Sequence, residues 1–122
     1  LNYTHARSMS SLILQAADKR MMMPHSYFMY HDGTYSVSGT FKMAQSAMEF
    51  DKNNEDVMLG IYAEKMNEKG TFKGDGEVKI KKYLRDQMDK KEDVFLTAAQ
   101  AVNLGLADEI FNYNWENLSK YN

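Results

Sequence analysis

Apolar residues recur at steps of three or four through a long central segment of the chain, from Thr40 to Lys69. This spacing places them along one side of an α-helix, so it predicts a long helix. The charged segment from Glu77 to Asp89 follows the same rule and predicts a second helix that packs on a partner. Its apolar face consists of Ile80, Leu84 and Met88. Residues 70–76, which lie between the two helices, contain three glycines and predict a loop.

The first third of the chain predicts a helix followed by a strand. The segment from Ser8 to Arg20 contains neither glycine nor proline and has apolar residues at helical spacing, which predicts a buried helix ending in basic residues. Pro24 ends any continuation, because it lacks a backbone N–H and restricts the residue before it. Residues 26–31 are mostly aromatic or apolar and predict a short buried strand. Residues 32–39 predict a turn and then an extended segment.

Helix signals return near the end of the chain. Thr97 is predicted to be the N-cap of a helix from Ala98 to Leu104, and Gly105 the glycine that ends it. Ala107 to Phe111 predicts a short strand, within which Asp108 is interpreted as a cap or an interface charge. The polar segment after it is predicted to be peripheral. The order of helix, strand, three helices and strand predicts one mixed α/β domain.

The composition excludes several classes of protein. At 122 residues the chain is one domain or part of one, and 43% hydrophobic residues is ordinary for a globular protein. A net charge of −2 offers no basic surface, and no apolar stretch is long enough for a bilayer, so we expect neither a nucleic-acid nor a membrane partner. The absence of cysteine excludes disulfides, a thiol nucleophile and a cysteine zinc site. It also fits a reducing compartment.

Serines, histidines and aspartates are the candidate catalytic residues. Hydrolysis by serine needs a hydroxyl, a base that accepts its proton and a group that orients the base. The chain has three histidines and several serines and aspartates, so composition does not choose among them. On the residues alone, two alternatives stay open: Ser8 as an ordinary helix cap, and His31 as a strand-end histidine with a satisfied hydrogen bond.

Three sequence blocks, in order, carry a resemblance to a known family. They are Ser8-Met9 at the start of an apolar helix, Pro-x-Ser-x-x-Met-x-His ending at His31, and Asp-x-Phe-Leu-Thr-Ala-Ala beginning at Asp93 and running on to Gly-Leu-x-Asp. Together they resemble the proteolytic subunit of the Clp protease. The resemblance implies that Ser8 is the nucleophile, His31 its general base and Asp93 the acid that orients the base. It also implies that the Met9 backbone N–H is one oxyanion donor.

The resemblance carries expectations about fold and assembly as well. It implies a ClpP/crotonase-like spiral α/β fold, of which residues 1–122 form a partial peptidase domain, the later two-thirds only. The early strands and the glycine pair that supplies the second oxyanion donor are not found in residues 1–7. Substrates would be peptides or unfolded proteins, cleaved inside a homo-oligomeric ring of heptamer type. An AAA+ unfoldase would be the partner in the cytoplasm and the only user of ATP, and this chain would bind no cofactor or metal.

Departures from the family pattern keep other functions open. Arg7 precedes Ser8 where a small residue is usual, and Ser10-Ser11 replace a glycine/alanine-type pair. The first alternative is therefore a non-catalytic ClpP-like ring or scaffold subunit, and the 122-residue chain alone is expected to be inactive without its second oxyanion donor. A crotonase-like protein that binds acyl-CoA is the second alternative, against which the three blocks argue.

Overall fold

Helices and short strands alternate along the part of the chain that the computed structural model describes, which is residues 5–7, 9–31 and 39–116. The strands are β1 (His5–Arg7), β2 (Met21–Met22), β3 (Tyr27–His31), β4 (Asp93–Thr97) and β5 (Glu109–Ile110). The helices are α1 (Met9–Leu14), α2 (Phe41–Glu68), α3 (Glu77–Lys91) and α4 (Ala98–Leu104). The mixed α/β character predicted from the sequence is confirmed.

A three-stranded sheet with the order β1-β3-β4 lies at the centre of these elements. Strand β1 runs parallel to β3, and β4 runs antiparallel to it. In this register Arg7 lies opposite Met29, and Asp93 lies opposite His31. A separate two-stranded sheet pairs β2 with β5 in parallel. Strand β3 is therefore hydrogen-bonded to a neighbouring strand on both sides.

One face of the three-stranded sheet is buried under two helices. Side chains alternate along β3, so Phe28 and Tyr30 share a face, and both are buried. Val94 of β4 lies opposite Tyr30 and is buried on the same side. The helical residues of this core are Leu59, Tyr62, Ala63 and Met66 of α2 and Ile80, Leu84 and Met88 of α3. The predicted apolar face of α3 is therefore confirmed.

Helix α2 has 28 residues, and its buried residues all lie in its second half, between Leu59 and Met66. The helix begins after Thr40, whose side-chain oxygen accepts a hydrogen bond from the Met43 N–H, as an N-cap residue does. Residues 41–57 are mostly exposed. The helix predicted from periodicity is confirmed, but its first half lies outside the core. No helix in the described part of the chain has the length and apolar character needed to cross a membrane.

The buried helix predicted from Ser8 to Arg20 is wrong in both length and burial. Helix α1 ends at Leu14, and most of its side chains reach solvent. After it the chain turns through bonds that each span three residues, donated by the N–H groups of Gln15, Ala16 and Ala17. After this turn, Arg20 lies next to the buried carboxylate of Asp108. The periodicity of a single segment does not indicate a partner so far away in the sequence, so it could not predict where this helix ends.

The predicted limits of α4 are confirmed. The Thr97 side chain accepts from the Gln100 N–H while the Gln100 side chain accepts from the Thr97 N–H, which forms a capping box. Gly105 ends the helix with a φ of 84°, a left-handed conformation that favours glycine. Strand β4, just before α4, is not among the elements predicted from the sequence. The last strand, β5, is shorter than predicted.

The glycine-containing loop between α2 and α3 packs on the end of α4. The loop predicted between the two helices is confirmed. The Thr71 N–H donates to the Asn103 carbonyl at 2.8 Å, and this bond attaches the loop to α4. Beyond β5, residues 112–116 are exposed, as the peripheral prediction requires. The rest of that segment, residues 117–122, lies outside the described residues. So do residues 32–38, which contain the turn predicted at residues 32–34 and most of the extended segment predicted at residues 35–39.

Candidate active site

Three strand ends meet at one edge of the three-stranded sheet. Because β1 and β3 are parallel, their last residues, Arg7 and His31, lie towards the same edge. Because β4 is antiparallel to β3, its first residue, Asp93, lies there as well. In the strand order β1-β3-β4, the predicted base His31 therefore lies in the middle. The predicted acid Asp93 lies on one side of it, and Arg7, the last residue of the strand before Ser8, lies on the other.

His31 and Asp93 are direct cross-strand partners. The His31 Nδ1 atom lies 3.8 Å from Oδ1 of Asp93, which is close enough for an ion pair when the histidine is protonated but longer than a hydrogen bond. The two side chains are 28% and 57% exposed, so both reach solvent. Nδ1 is thus the ring nitrogen that faces the carboxylate, as it does where an acid orients a catalytic histidine. Hydrogen bonds between catalytic residues are often this long in structures without bound substrate.

The predicted nucleophile, Ser8, lies outside the described residues. Its neighbours in the chain are described: Arg7 ends β1 and Met9 begins α1, so the serine occupies a strand-to-helix junction in the sequence. The Met9 N–H belongs to the first helical turn, where N–H groups have no carbonyl acceptor within the helix. The catalytic roles of these residues stay predictions.

Apolar side chains share the sheet face of His31. Tyr27 and Met29 alternate with the buried residues of β3 and therefore lie on the His31 face. Phe95 is the cross-strand partner of Met29, and its ring makes an edge contact with Tyr27 at a centroid distance of 5.6 Å. Phe95 is 55% exposed. A partly exposed apolar surface therefore begins at the Met29–Phe95 pair, which is the next pair after His31–Asp93 on this face of the sheet.

A buried ion pair near the end of α4 was missed by the sequence interpretation. The Nη2 atom of Arg20 lies 2.9 Å from Oδ1 of Asp108, with side chains 6% and 9% exposed. The Nη1 atom of Arg20 also donates to Oε1 of Gln15 at 2.7 Å and to the Gly105 carbonyl at 2.8 Å. Asp108 is therefore a buried partner of Arg20 and not a cap or an interface charge. The two residues are 88 positions apart, and no local spacing links them.

Hydrogen bonds keep Asp108 ionised in this site. Burial alone would raise the pKa of Asp108, but the Arg20 side chain, the Arg20 backbone N–H and the Lys69 ammonium all donate to its carboxylate. Together they hold the pKa of Asp108 well below its usual range. The charged pair ties the start of β2 to the segment before β5, because Arg20 directly precedes Met21 and Asp108 directly precedes Glu109.

The family model described as Clp protease matches residues 2–114 of the chain. The match covers most of the 122 residues, so the chain belongs to the Clp protease family. The family predicted from the three sequence blocks is thereby confirmed, and the mixed α/β structure agrees with it. Membership in this family supports, in general terms, the interpretation of the chain as a protease of the Clp type. None of the curated proteins compared with the chain matches it.

Proposed function

We propose that this protein is a serine-type endopeptidase subunit of the Clp kind, with Ser8 as nucleophile, His31 as general base and Asp93 as the orienting acid. The observation that carries the proposal is the cross-strand pairing of His31 with Asp93, at the sheet edge reached by the strand that leads to Ser8. A histidine next to a carboxylate and close to a serine is the arrangement that activates a hydroxyl.

In the proposed reaction the Ser8 hydroxyl attacks a peptide carbonyl while its proton passes to Nε2 of His31. Asp93, on the Nδ1 side of the ring at 3.8 Å, stabilises the imidazolium that forms. The Met9 N–H donates to the oxyanion of the tetrahedral intermediate. When the intermediate collapses, His31 returns the proton to the leaving amine, and an acyl-enzyme ester remains on Ser8. Water then repeats the sequence and releases the acid product.

The family resemblance pairs the Met9 N–H with a second backbone N–H as oxyanion donor. Removing one donor of such a pair typically lowers the rate by roughly 10²–10³-fold. The spiral arrangement of the family fold likewise stays a prediction. So does the expectation that the chain binds no cofactor or metal of its own.

We also propose that the subunit works in a homo-oligomeric ring, with an AAA+ unfoldase as the ATP-using partner, in the cytoplasm. The support within the chain is the first half of α2, where large apolar side chains are exposed: Phe41, Met43, Met48, Phe50 and Val57. Met43, Phe50 and Val57 are seven residues apart, which puts them on one side of the helix at about 100° per residue. Phe41 and Met48 form a second stripe on the opposite side, so covering both needs contacts on two sides.

The test is hydrolysis of a fluorogenic peptide by the full-length gene product. Ser8→Ala and His31→Ala should each abolish measurable turnover, whereas Ser10→Ala, which changes an exposed serine two residues away, should leave it intact. Turnover that survives Ser8→Ala would contradict the proposal.

A non-catalytic ring subunit is the second candidate, and one observation favours it. The His31–Asp93 separation of 3.8 Å exceeds a hydrogen bond, and Asp93 is more than half exposed. Under this reading the folded full-length protein forms rings but shows no turnover in the same assay. Native mass spectrometry beside the peptide assay separates the two candidates, because only the scaffold assembles without hydrolysing peptide.

A further inference from the structure

Helix α1 is too short to hold its own position. It has six residues, whereas isolated helices become stable in water only at about 12–15 residues. Its bonds to the rest of the protein therefore decide where its first residue, Met9, is placed. This makes the buried contacts of α1 relevant to the geometry of the proposed site.

Ser11 provides a buried polar link between α1 and α2. Its hydroxyl shares a hydrogen bond with the hydroxyl of Tyr62 on α2, and both residues are fully buried. The Ser11 carbonyl also accepts from Nε2 of Gln15 at 3.2 Å, and the same Nε2 donates to the Leu106 carbonyl at 2.9 Å. One residue of α1, three positions after the proposed nucleophile, is thus held through both its side chain and its backbone.

Tyr62 also contacts the strand that carries the proposed base. Its ring centroid lies 5.8 Å from that of Phe28 and 5.8 Å from that of Tyr30, the residue immediately before His31. Burial raises the pKa of Tyr62 to about 12, although the bond with Ser11 opposes the rise. The hydroxyl therefore stays neutral near pH 7, and the bond does not titrate there. One rigid side chain touches both the helix after Ser8 and the strand that ends at His31.

We propose that Tyr62 is a positioning residue, whose hydroxyl holds α1 against β3 and so sets the separation of Ser8 and His31. This inference rests on the proposed function and adds to it a residue that touches neither substrate nor the reacting atoms. Without the bond, α1 keeps its apolar packing through Leu12 and Leu14 but loses a directional link. A misplacement of about 1 Å between reacting groups lowers a rate by about 100-fold.

The test compares Tyr62→Phe with Ser11→Ala in the full-length protein, because each removes the same bond from a different side. Each should lower kcat and the rate of fluorophosphonate labelling by about 10- to 100-fold, with KM unchanged. The double variant should be no more than about twofold slower than either single variant, since the two share one interaction. Tyr30→Phe is the matched control: it removes a similarly buried hydroxyl from the same aromatic cluster and leaves the Ser11–Tyr62 bond in place.

Thermal unfolding of every variant is followed in parallel, so that rates are compared below each transition. If Tyr62→Phe does not fold, Ser11→Ala decides the matter alone, because it breaks the bond with a smaller change. Rates for Ser11→Ala that stay within about twofold of the wild type, or losses equalled by Tyr30→Phe, overturn the positioning role. If labelling persists in Ser8→Ala, the proposed function itself has failed, and that outcome is distinct from either of these.

Discussion

Replacing Asp108 with asparagine should destabilise the protein far more than the same change at an exposed aspartate. The Asp108 carboxylate accepts from the Arg20 backbone N–H at 2.7 Å and from its Nη2 at 2.9 Å, in a site where the two side chains are only 6% and 9% exposed. Asparagine keeps the shape but removes the charge, so the guanidinium stays buried without its counter-ion. Loss of one partner of a buried ion pair costs about 3–5 kcal/mol. In a domain of this size that lowers Tm by roughly 10 °C or more.

Asp86→Asn is the matched control for this change. Asp86 pairs with Lys82 one helical turn away at 3.3 Å, and the two side chains are 50% and 79% exposed. Exposed pairs of this kind contribute about 0–1 kcal/mol. The free energy of unfolding should therefore change little at Asp86 and strongly at Asp108, although the chemistry of the substitution is the same.

Urea unfolding followed by circular dichroism, at pH 7 and at several lower pH values, measures both effects. Because the pKa of Asp108 is lowered in the folded state, its contribution is present above the unfolded pKa of about 4 and is lost as pH falls below that value towards the folded one. The gap between wild type and Asp108→Asn should therefore be steady from pH 7 to about 5 and shrink in stronger acid. A gap under about 1 kcal/mol at pH 7, or one that does not shrink in acid, would refute the reasoning.

Three further changes probe the site, the assembly and a backbone constraint. Asp93→Asn should lower kcat for peptide hydrolysis by about 10²–10⁴-fold, because the neutral amide no longer stabilises the His31 imidazolium. Phe50→Glu should reduce the oligomer mass measured by light scattering. Burying a phenylalanine in the proposed subunit interface stabilises the assembly by about 1.5–3 kcal/mol, whereas burying a charge there destabilises it. Gly105→Ala should lower the free energy of unfolding by about 3 kcal/mol or more, because its left-handed φ of 84° leaves a Cβ crowded against backbone atoms.

Each of these changes has a control within the chain. Asp89→Asn, on an exposed aspartate near the end of α3, should not alter kcat. Glu49→Lys reverses a charge in the same exposed half of α2, on the side between the two apolar stripes, and should leave the oligomer intact. Gly74→Ala shares a left-handed φ of 81° but meets open space, so it should cost only about 1–2 kcal/mol. Equal effects for a variant and its control would contradict the corresponding reasoning.

Local patterns predicted those elements whose stability is local. Helix α2 was predicted within a residue at each end, and α4 was predicted with both its capping threonine and its terminal glycine. Both helices are defined by periodicity and caps that act within a few residues. The segment after Ser8 contains no local breaker, so its pattern predicted a helix running through to Arg20. That segment instead turns at Leu14.

Long-range polar partners explain most of what the sequence did not predict. The Arg20–Asp108 ion pair and the Ser11–Tyr62 hydrogen bond join residues 88 and 51 positions apart. No periodic pattern in the sequence indicates either of these two interactions. The pairing of His31 with Asp93 was expected only through the family resemblance, because nothing in the chain before β4 indicates that a second strand will lie antiparallel to β3.

The most direct test of the central claim is to identify the residue that a fluorophosphonate probe labels in the full-length protein. The proposed triad predicts that mass spectrometry finds a single adduct on Ser8, lost in His31→Ala and strongly slowed in Asp93→Asn. An adduct on another serine, or a folded protein that takes no label at Ser8, would contradict the claim that His31 and Asp93 activate that serine.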